Sequence, residues 1–155
     1  MRFYDFRKVP TTIDGIELVS AWAPGDDVFK ASRVKASAES EVGADGHMVL
    51  SLNADKSGEV TIKLAQTSPL NAYLSKKCQA QDQIDTFVPV TVDQFDTYRG
   101  DKVATSVGYI EKHAEHSRGA KANTVEWKLI FEEIHFDLGD PSFTGLPTSV
   151  AEVLG

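Results

Sequence analysis

Hydrophobic and polar positions change period within residues 58–74, "GEVTIKLAQTSPLNAYL". Val60, Ile62 and Leu64 alternate with Thr61, Lys63 and Ala65, which is the two-residue period of a strand with one buried face. After Pro69 the apolar positions are Leu70, Tyr73, Leu74 and Cys78, the spacing of one helical face. Ser68 is placed to cap that helix, and Pro69 to occupy its first turn. A strand followed at once by a short covering helix is expected.

Upstream the pattern predicts strands and turns. In "TTIDGIELVSAW", Asp14-Gly15 sits between two β-prone runs and predicts a hairpin. A Pro-Gly-Asp turn at 24–26 leads into Val28 to Ala38, which reads as one strand of mixed parity. Two turn clusters, Gly43 to Gly46 and Asn53 to Gly58, bracket an apolar run from Met48 to Leu52, and the whole reads as a hairpin with extended arms.

Downstream, Pro89 within "DTFVPVTVDQF" suits an edge strand or a bulge. Residues 102–139 read as two long strands joined by a polar turn near Ser117 to Asn123. In the second of these Val125, Trp127, Leu129 and Phe131 share a face, whereas Ile134, Phe136 and Leu138 continue on the opposite parity. A bulge or sheet crossing is therefore expected at Glu132 and Glu133. About seven or eight strands and one helix predict a mainly β fold, an antiparallel sandwich or barrel with one short flanking α-helix. Its expected core includes Val60, Ile62, Leu64, Leu70, Leu74, Trp127, Leu129 and Phe131. Residues 1–139 are expected to form this domain, and 140–155, with two prolines, to form a C-terminal arm ordered against something else.

Composition narrows the function. A length of 155 residues with 41% hydrophobic content suits one domain, and a net charge of -7 argues against holding nucleic acid by neutralising phosphates. It does not argue against a surface that DNA slides past. The single Cys78 cannot form an internal disulfide and reads as a small core residue. The opening residues contain no apolar run of signal-peptide length, and no stretch approaches a membrane span, which predicts a soluble protein made in a cytoplasm.

Candidate chemistry is sparse. "NADKSG" at 53–58 begins like a calcium loop, but the position that needs a bidentate Glu is Leu64, so a hairpin turn is the better account. His113 and His116 lie three apart in a segment that reads as strand, which would turn them to opposite faces, and His47 and His135 are isolated; no metal site is expected. No nucleophile elbow, Cys-His signature or phosphate loop is present, and the adjacent pairs Asp26-Asp27 and Glu132-Glu133 would diverge on a strand. No catalytic residue, no cofactor and no enzymatic activity are expected.

Three segments together resemble the tail tube proteins of contractile-tailed bacteriophages: "IDGIELVSAWAPGDDVF" at 13–29, "VGADGHMVLSLNADKSGEVTIKLAQTSPLNAYLS" at 42–75 and "EWKLIFEEIHFDLG" at 126–139. The middle segment carries most of the likeness, with its order of turn, strand, Gln66-Thr67-Ser68-Pro69 junction and helix. The resemblance implies a β-sandwich subunit that forms hexameric rings, stacked into a hollow tube in the virion tail and assembled in the host cytoplasm. It implies partners in other copies of itself, the tail sheath, the tape-measure protein, and the baseplate and tail terminator proteins, with DNA passing through the lumen without specific binding. It also implies kinship with type VI secretion and tailocin tube subunits, which remain an alternative; a small-molecule-binding β-barrel is another.

On that resemblance the hairpin residues Val42, Gly43, Ala44, Asp45, Gly46, His47 and Met48 are expected to contact the neighbouring ring. The other possibility is that they fold down on their own sandwich. Glu39, Glu41, Asp55 and Glu59 are expected as lumen charge, where carboxylates would repel passing phosphate; solubility alone accounts for the acidity equally well. Residues 140–155 have no counterpart in the resemblance.

Overall fold

The computed structural model describes residues 4–18, 22–83, 87–98 and 100–139. The C-terminal arm expected at 140–155 lies outside the described residues. Among the described residues, eleven strands and one α-helix follow a short 3-10 turn at Phe6–Lys8. The strands are β1 (Thr11–Ile13), β2 (Ile16–Glu17), β3 (Phe29–Arg33), β4 (Ala38–Val42), β5 (Met48–Leu52) and β6 (Gly58–Ala65), then, after α1 (Pro69–Gln81), β7 (Val92–Phe95), β8 (Lys102–Thr105), β9 (Gly108–Ile110), β10 (Thr124–Phe131) and β11 (Ile134–Asp137).

They form an antiparallel five-stranded sheet in the order β11-β8-β7-β1-β2, a four-stranded sheet in the order β3-β6-β10-β9, and a separate pair β4-β5. The core lies between the two larger sheets. Val60, Ile62 and Leu64 on β6 and Trp127, Leu129 and Phe131 on β10 are buried against Ile13, Val92 and Ile134 of the five-stranded sheet, and Leu70, Leu74 and Cys78 of the helix join the same cluster. The alternation along β6 is complete, with every second residue buried.

Local chemistry explains the elements. Asp14 and Gly15 both have positive φ, 52° and 83°, as a two-residue β-turn that matches strand twist requires. The Ser68 side chain accepts a hydrogen bond from the Leu70 N–H, and Pro69 occupies the first helical position. Side-chain hydrogen bonds fasten the helix to the sheets. Asn71 Oδ1 accepts from the Trp127 indole N–H at 3.0 Å. The Gln81 side-chain amide exchanges two bonds with the Ile110 backbone, 2.7 and 2.9 Å, in the manner of a β-bridge. Asp14 receives the Tyr73 hydroxyl at 2.8 Å and the Lys77 ammonium.

Three readings of the sequence need correction. Val28 to Ala38 is not one strand: β3 ends at Arg33, a bend follows, and Ala38 already belongs to the separate hairpin. Mixed parity was the trace of that bend. Residues 102–139 are not two strands but four, because the paired ribbon crosses from one sheet to the other at Ser106-Val107 as well as at Glu132-Glu133. Pro89 is in neither an edge strand nor a bulge; it precedes β7, which lies inside its sheet between β8 and β1. Among the described residues no helix is long and apolar enough to cross a membrane.

Candidate functional site: an exposed amphipathic arm and the opposite end of the sheet

The β4-β5 hairpin is the largest departure from a closed sandwich. Its register pairs Ala38 with Leu52, Glu39 with Ser51, Ser40 with Leu50, Glu41 with Val49 and Val42 with Met48. Every residue from Val34 to Leu52 is exposed. Directly opposed residues share a face, so Ala38, Ser40, Val42, Met48, Leu50 and Leu52 form one side of the arm, and Glu39, Glu41, Val49 and Ser51 the other. The first side is apolar but for Ser40, and Val42, Met48, Leu50 and Leu52 are 61–79% exposed. Single exposed apolar residues are ordinary; four side by side on a projecting ribbon mark a surface made to be covered.

The tip is held by its own hydrogen bonds. Gly43 N–H donates to His47 O, Gly46 N–H to Gly43 O, and His47 N–H to Asp45 Oδ1 at 3.1 Å. Gly46 has φ +83°, which a residue with a side chain rarely adopts. At the base, Asn53 N–H donates to Ser37 O, and Arg33 reaches both Ser37 Oγ and the Ile134 carbonyl at 3.2 Å. The "NADKSG" stretch is a relay of side-chain turns, Asn53 Oδ1 accepting from Asp55 N–H and Asp55 Oδ1 from Ser57 N–H. The Ser57 bonds, with Lys35 adding at 3.5 Å, hold the Asp55 carboxyl below its usual range.

The four acidic residues expected to act together are divided among three places. Glu39 and Glu41 share one exposed side of the arm and have no cationic partner among the described residues. Asp55 faces Lys35, and Glu59 lies on the outer face of the four-stranded sheet, bound to Lys128 at 3.2 Å. Lys128 also holds Glu111 at 3.3 Å, and the pair of carboxylates raises its pKa. That sheet face therefore carries balanced charge.

Two hollows lie at opposite ends of β6 and β10. One, of about 330 Å³, is beside the arm's base and is lined by Phe87, Pro89, Val107, Tyr109 and Ile130. The other, of about 210 Å³, lies at the Ala65–Thr124 end, among Asn71, His113, His116, Arg118, Val125 and Trp127. The sequence pattern gives no sign of the second hollow, because it reads residues 111–116 as the end of a strand and 117–123 as a plain polar turn. They are irregular, and His113 and His116 line one cavity instead of pointing to opposite faces. His113 is fixed there by Ser75 Oγ at 2.8 Å and by edge-on contact with the Trp127 ring. No group of three His, Cys, Asp or Glu side chains among the described residues could hold a metal ion.

The fold has a counterpart among solved structures. The cryo-EM structure of the anti-feeding prophage cap, the tube-terminating cap of that particle, matches with a TM-score of 0.56 at 7% identity over 90% of this chain and 93% of that one. A search of curated protein sequences finds no match. The family model described as bacteriophage PhiTE tail tube protein matches residues 1–139, which takes in both sheets, the helix and the arm, and the chain belongs to that tail tube family.

Proposed function

We propose that this chain is the subunit of the inner tube of a contractile phage tail, forming hexameric rings that stack into a hollow conduit for DNA. Membership of the tail tube family supports a structural role in the tail. The geometric observation that carries the proposal is the arm, which offers Val42, Met48, Leu50 and Leu52 to whatever stands beside it. A head-to-tail contact repeated around an axis closes into a ring, and repeated along it makes a tube. The arm from Val42 to Met48 makes the contact between rings. Residues 1–139 form the tube body, and sheath, tape-measure, baseplate and terminator proteins are its partners in the tail.

The net charge of -7 suits a conduit whose walls must not retain phosphate. Within this reading Glu39 and Glu41 supply unpaired lumen charge, whereas Asp55 and Glu59 are partly neutralised by Lys35 and Lys128. No chemical step is assigned to the protein.

Negative-stain microscopy of the purified chain tests the proposal. Tubes are expected, and a variant lacking Gly43 to His47 is expected to stay folded by circular dichroism but not to lengthen. A chain that remains monomeric at every concentration overturns the reading. Rings that never stack would point instead to a terminating role.

A further inference from the structure

The hollow beside the arm's base is uncovered among the described residues. Phe87, Pro89, Val107, Tyr109 and Ile130 line it, and Phe87, Val107 and Tyr109 are 43–47% exposed. Its volume of about 330 Å³ has room for a few side chains. Large apolar side chains left open around one hollow mark a surface that something covers.

The chain's own continuation can reach it. β11 is the outermost strand of the five-stranded sheet and ends at Asp137. Two residues on, Gly139 has φ +88°, a left-handed turn conformation. Asp140-Pro141 follows, a pair that favours turns. A reversal centred on Gly139-Asp140 sends the next residues back beside β11 at about 3.3 Å per residue. Phe143 then falls level with Phe136, Gly145 with Ile134 and Leu146 with Glu133.

Each of these positions suits its neighbour. Phe136 is 39% exposed, so a second ring laid on it buries apolar surface. At Ile134 the strand edge is already taken, its N–H donating to Lys56 O and its carbonyl accepting from Arg33, and a glycine passes such a crowded point most readily. Just beyond, Glu132 and Ser57 border the hollow, and Leu146 arrives there with Pro147. Residues 140–155 carry Phe143, Leu146, Val150, Val153 and Leu154 with only Asp140 and Glu152 charged, a composition that fits an apolar receptor. They lie beyond the residues matched to the tail tube family, which assigns them no role.

We infer that residues 140–147 fold back along β11 of the same chain, laying Phe143 on Phe136 and seating Leu146 in the hollow between Phe87, Val107 and Tyr109. Such a strap covers an open sheet edge and an apolar hollow together, next to the base of the arm. The contact is intramolecular and does not depend on the tube reading.

Disulfide trapping in the full chain, held dilute, tests it. Leu146→Cys is combined with Tyr109→Cys, and in a second protein with Phe87→Cys. The reference pair is Leu146→Cys with Glu17→Cys, at the far edge of the five-stranded sheet. Tyr109, Phe87 and Glu17 are all exposed, so these variants should fold, which circular dichroism checks. Cys78 stays in place, because it is buried and burial pushes its thiol pKa up. Under mild oxidation at least one hollow pair should close about tenfold or more faster than the reference pair, as an intrachain bridge that migrates as a monomer on a non-reducing gel. Adding Phe143→Asp to that pair should bring its rate down to the reference, since a carboxylate is costly to bury on the Phe136 ring. Hollow pairs that close no faster than the reference, bridges that form only between chains, or a rate that Phe143→Asp leaves unchanged would each overturn the strap. None of these outcomes bears on tube formation, which microscopy reads separately.

Discussion

Ser106 and Glu133 face each other where the paired ribbon passes from the five-stranded to the four-stranded sheet. The Ser106 N–H donates to the Glu133 carbonyl and the Glu133 N–H donates to Ser106 Oγ, each at 3.0 Å. The side chain thus takes the place of a ladder carbonyl at the point where both strands turn. One residue on, Glu132 N–H returns to Val107 O. Strands that switch sheets at a corner have to leave ladder groups unpaired unless something local receives them.

Replacing Ser106 with Ala leaves the Glu133 N–H to water. The site is exposed, so the loss should be modest, about 1 kcal/mol, or about 3 °C in melting temperature for a chain of this size. Thermal unfolding by circular dichroism checks it, and an unchanged melting temperature would show that the corner is held by the strands alone.

The corner also depends on a missing side chain. A Cβ on Gly108 would lie 2.4 Å from the Ile130 carbonyl and from Phe131 Cδ1, and a Cβ on Gly58 would lie 2.1 Å from Ile134 Cγ2. Backbone and core stand in the way, so Gly108→Ala should cost about 3 kcal/mol. Gly46→Ala offers the contrast: its Cβ would meet nothing within 4 Å, and the strain of φ +83° alone should cost about 1 kcal/mol. Denaturant midpoints of the two variants should differ in that order.

How far the sequence disclosed this fold varies with what the residues had to satisfy locally. The helix could be read because Ser68 and Pro69 mark its start and Leu70, Leu74 and Cys78 keep one face buried. The crossing at Glu132-Glu133 could be read because a one-residue slip moves every later side chain to the other face. Its mate at Ser106-Val107 could not, since Lys102–Thr105 and Gly108–Ile110 are too short to establish a parity before it changes. The arm's apolar excess is visible in the sequence, but its two sides become plain only with the register that pairs Ala38 with Leu52 and Val42 with Met48. The hollow at His113 had no periodic signal at all, because segment 111–123 is positioned by Ser75 and Gln66, both distant in sequence, and by the Trp127 ring.

Asp14 links three elements through one carboxylate. It accepts from Thr91 N–H at 2.8 Å, from Tyr73 and from Lys77, and both charged side chains are 13% exposed or less. Burial pushes its pKa up, but the bonds from Lys77, Thr91 and Tyr73 outweigh burial and the net pKa is lowered. A carboxyl whose folded pKa lies below its unfolded value of about 3.9 stabilises the protein above that pH, and the benefit is lost as pH falls through the folded value. Wild type should therefore lose stability steeply below about pH 4, and Asp14→Asn should show a shallower loss over the same range. At neutral pH Asp14→Asn should cost about 3 kcal/mol, because Lys77 is left buried without a counter-charge. Equal pH profiles for the two proteins would exclude this carboxylate as a source of acid sensitivity.

Asn71 does for the helix what Ser106 does for the corner. Its Oδ1 accepts from the Trp127 indole N–H, while its Nδ2 donates to Ala65 O at 2.9 Å, at the point where β6 hands over to the helix. Trp127 is 1% exposed, so an indole N–H deprived of this acceptor has no ready access to water. Asn71→Leu should cost about 2 kcal/mol, the desolvation penalty of an orphaned buried donor, and Asn71→Asp, which keeps the acceptor, should cost less. The Trp127 ring also touches His113, so the same change should loosen segment 111–123. Faster amide exchange at 111–123 in Asn71→Leu, with β6 protection kept, is the expected result; uniform exchange across both regions would mean that the indole bond supports the core alone.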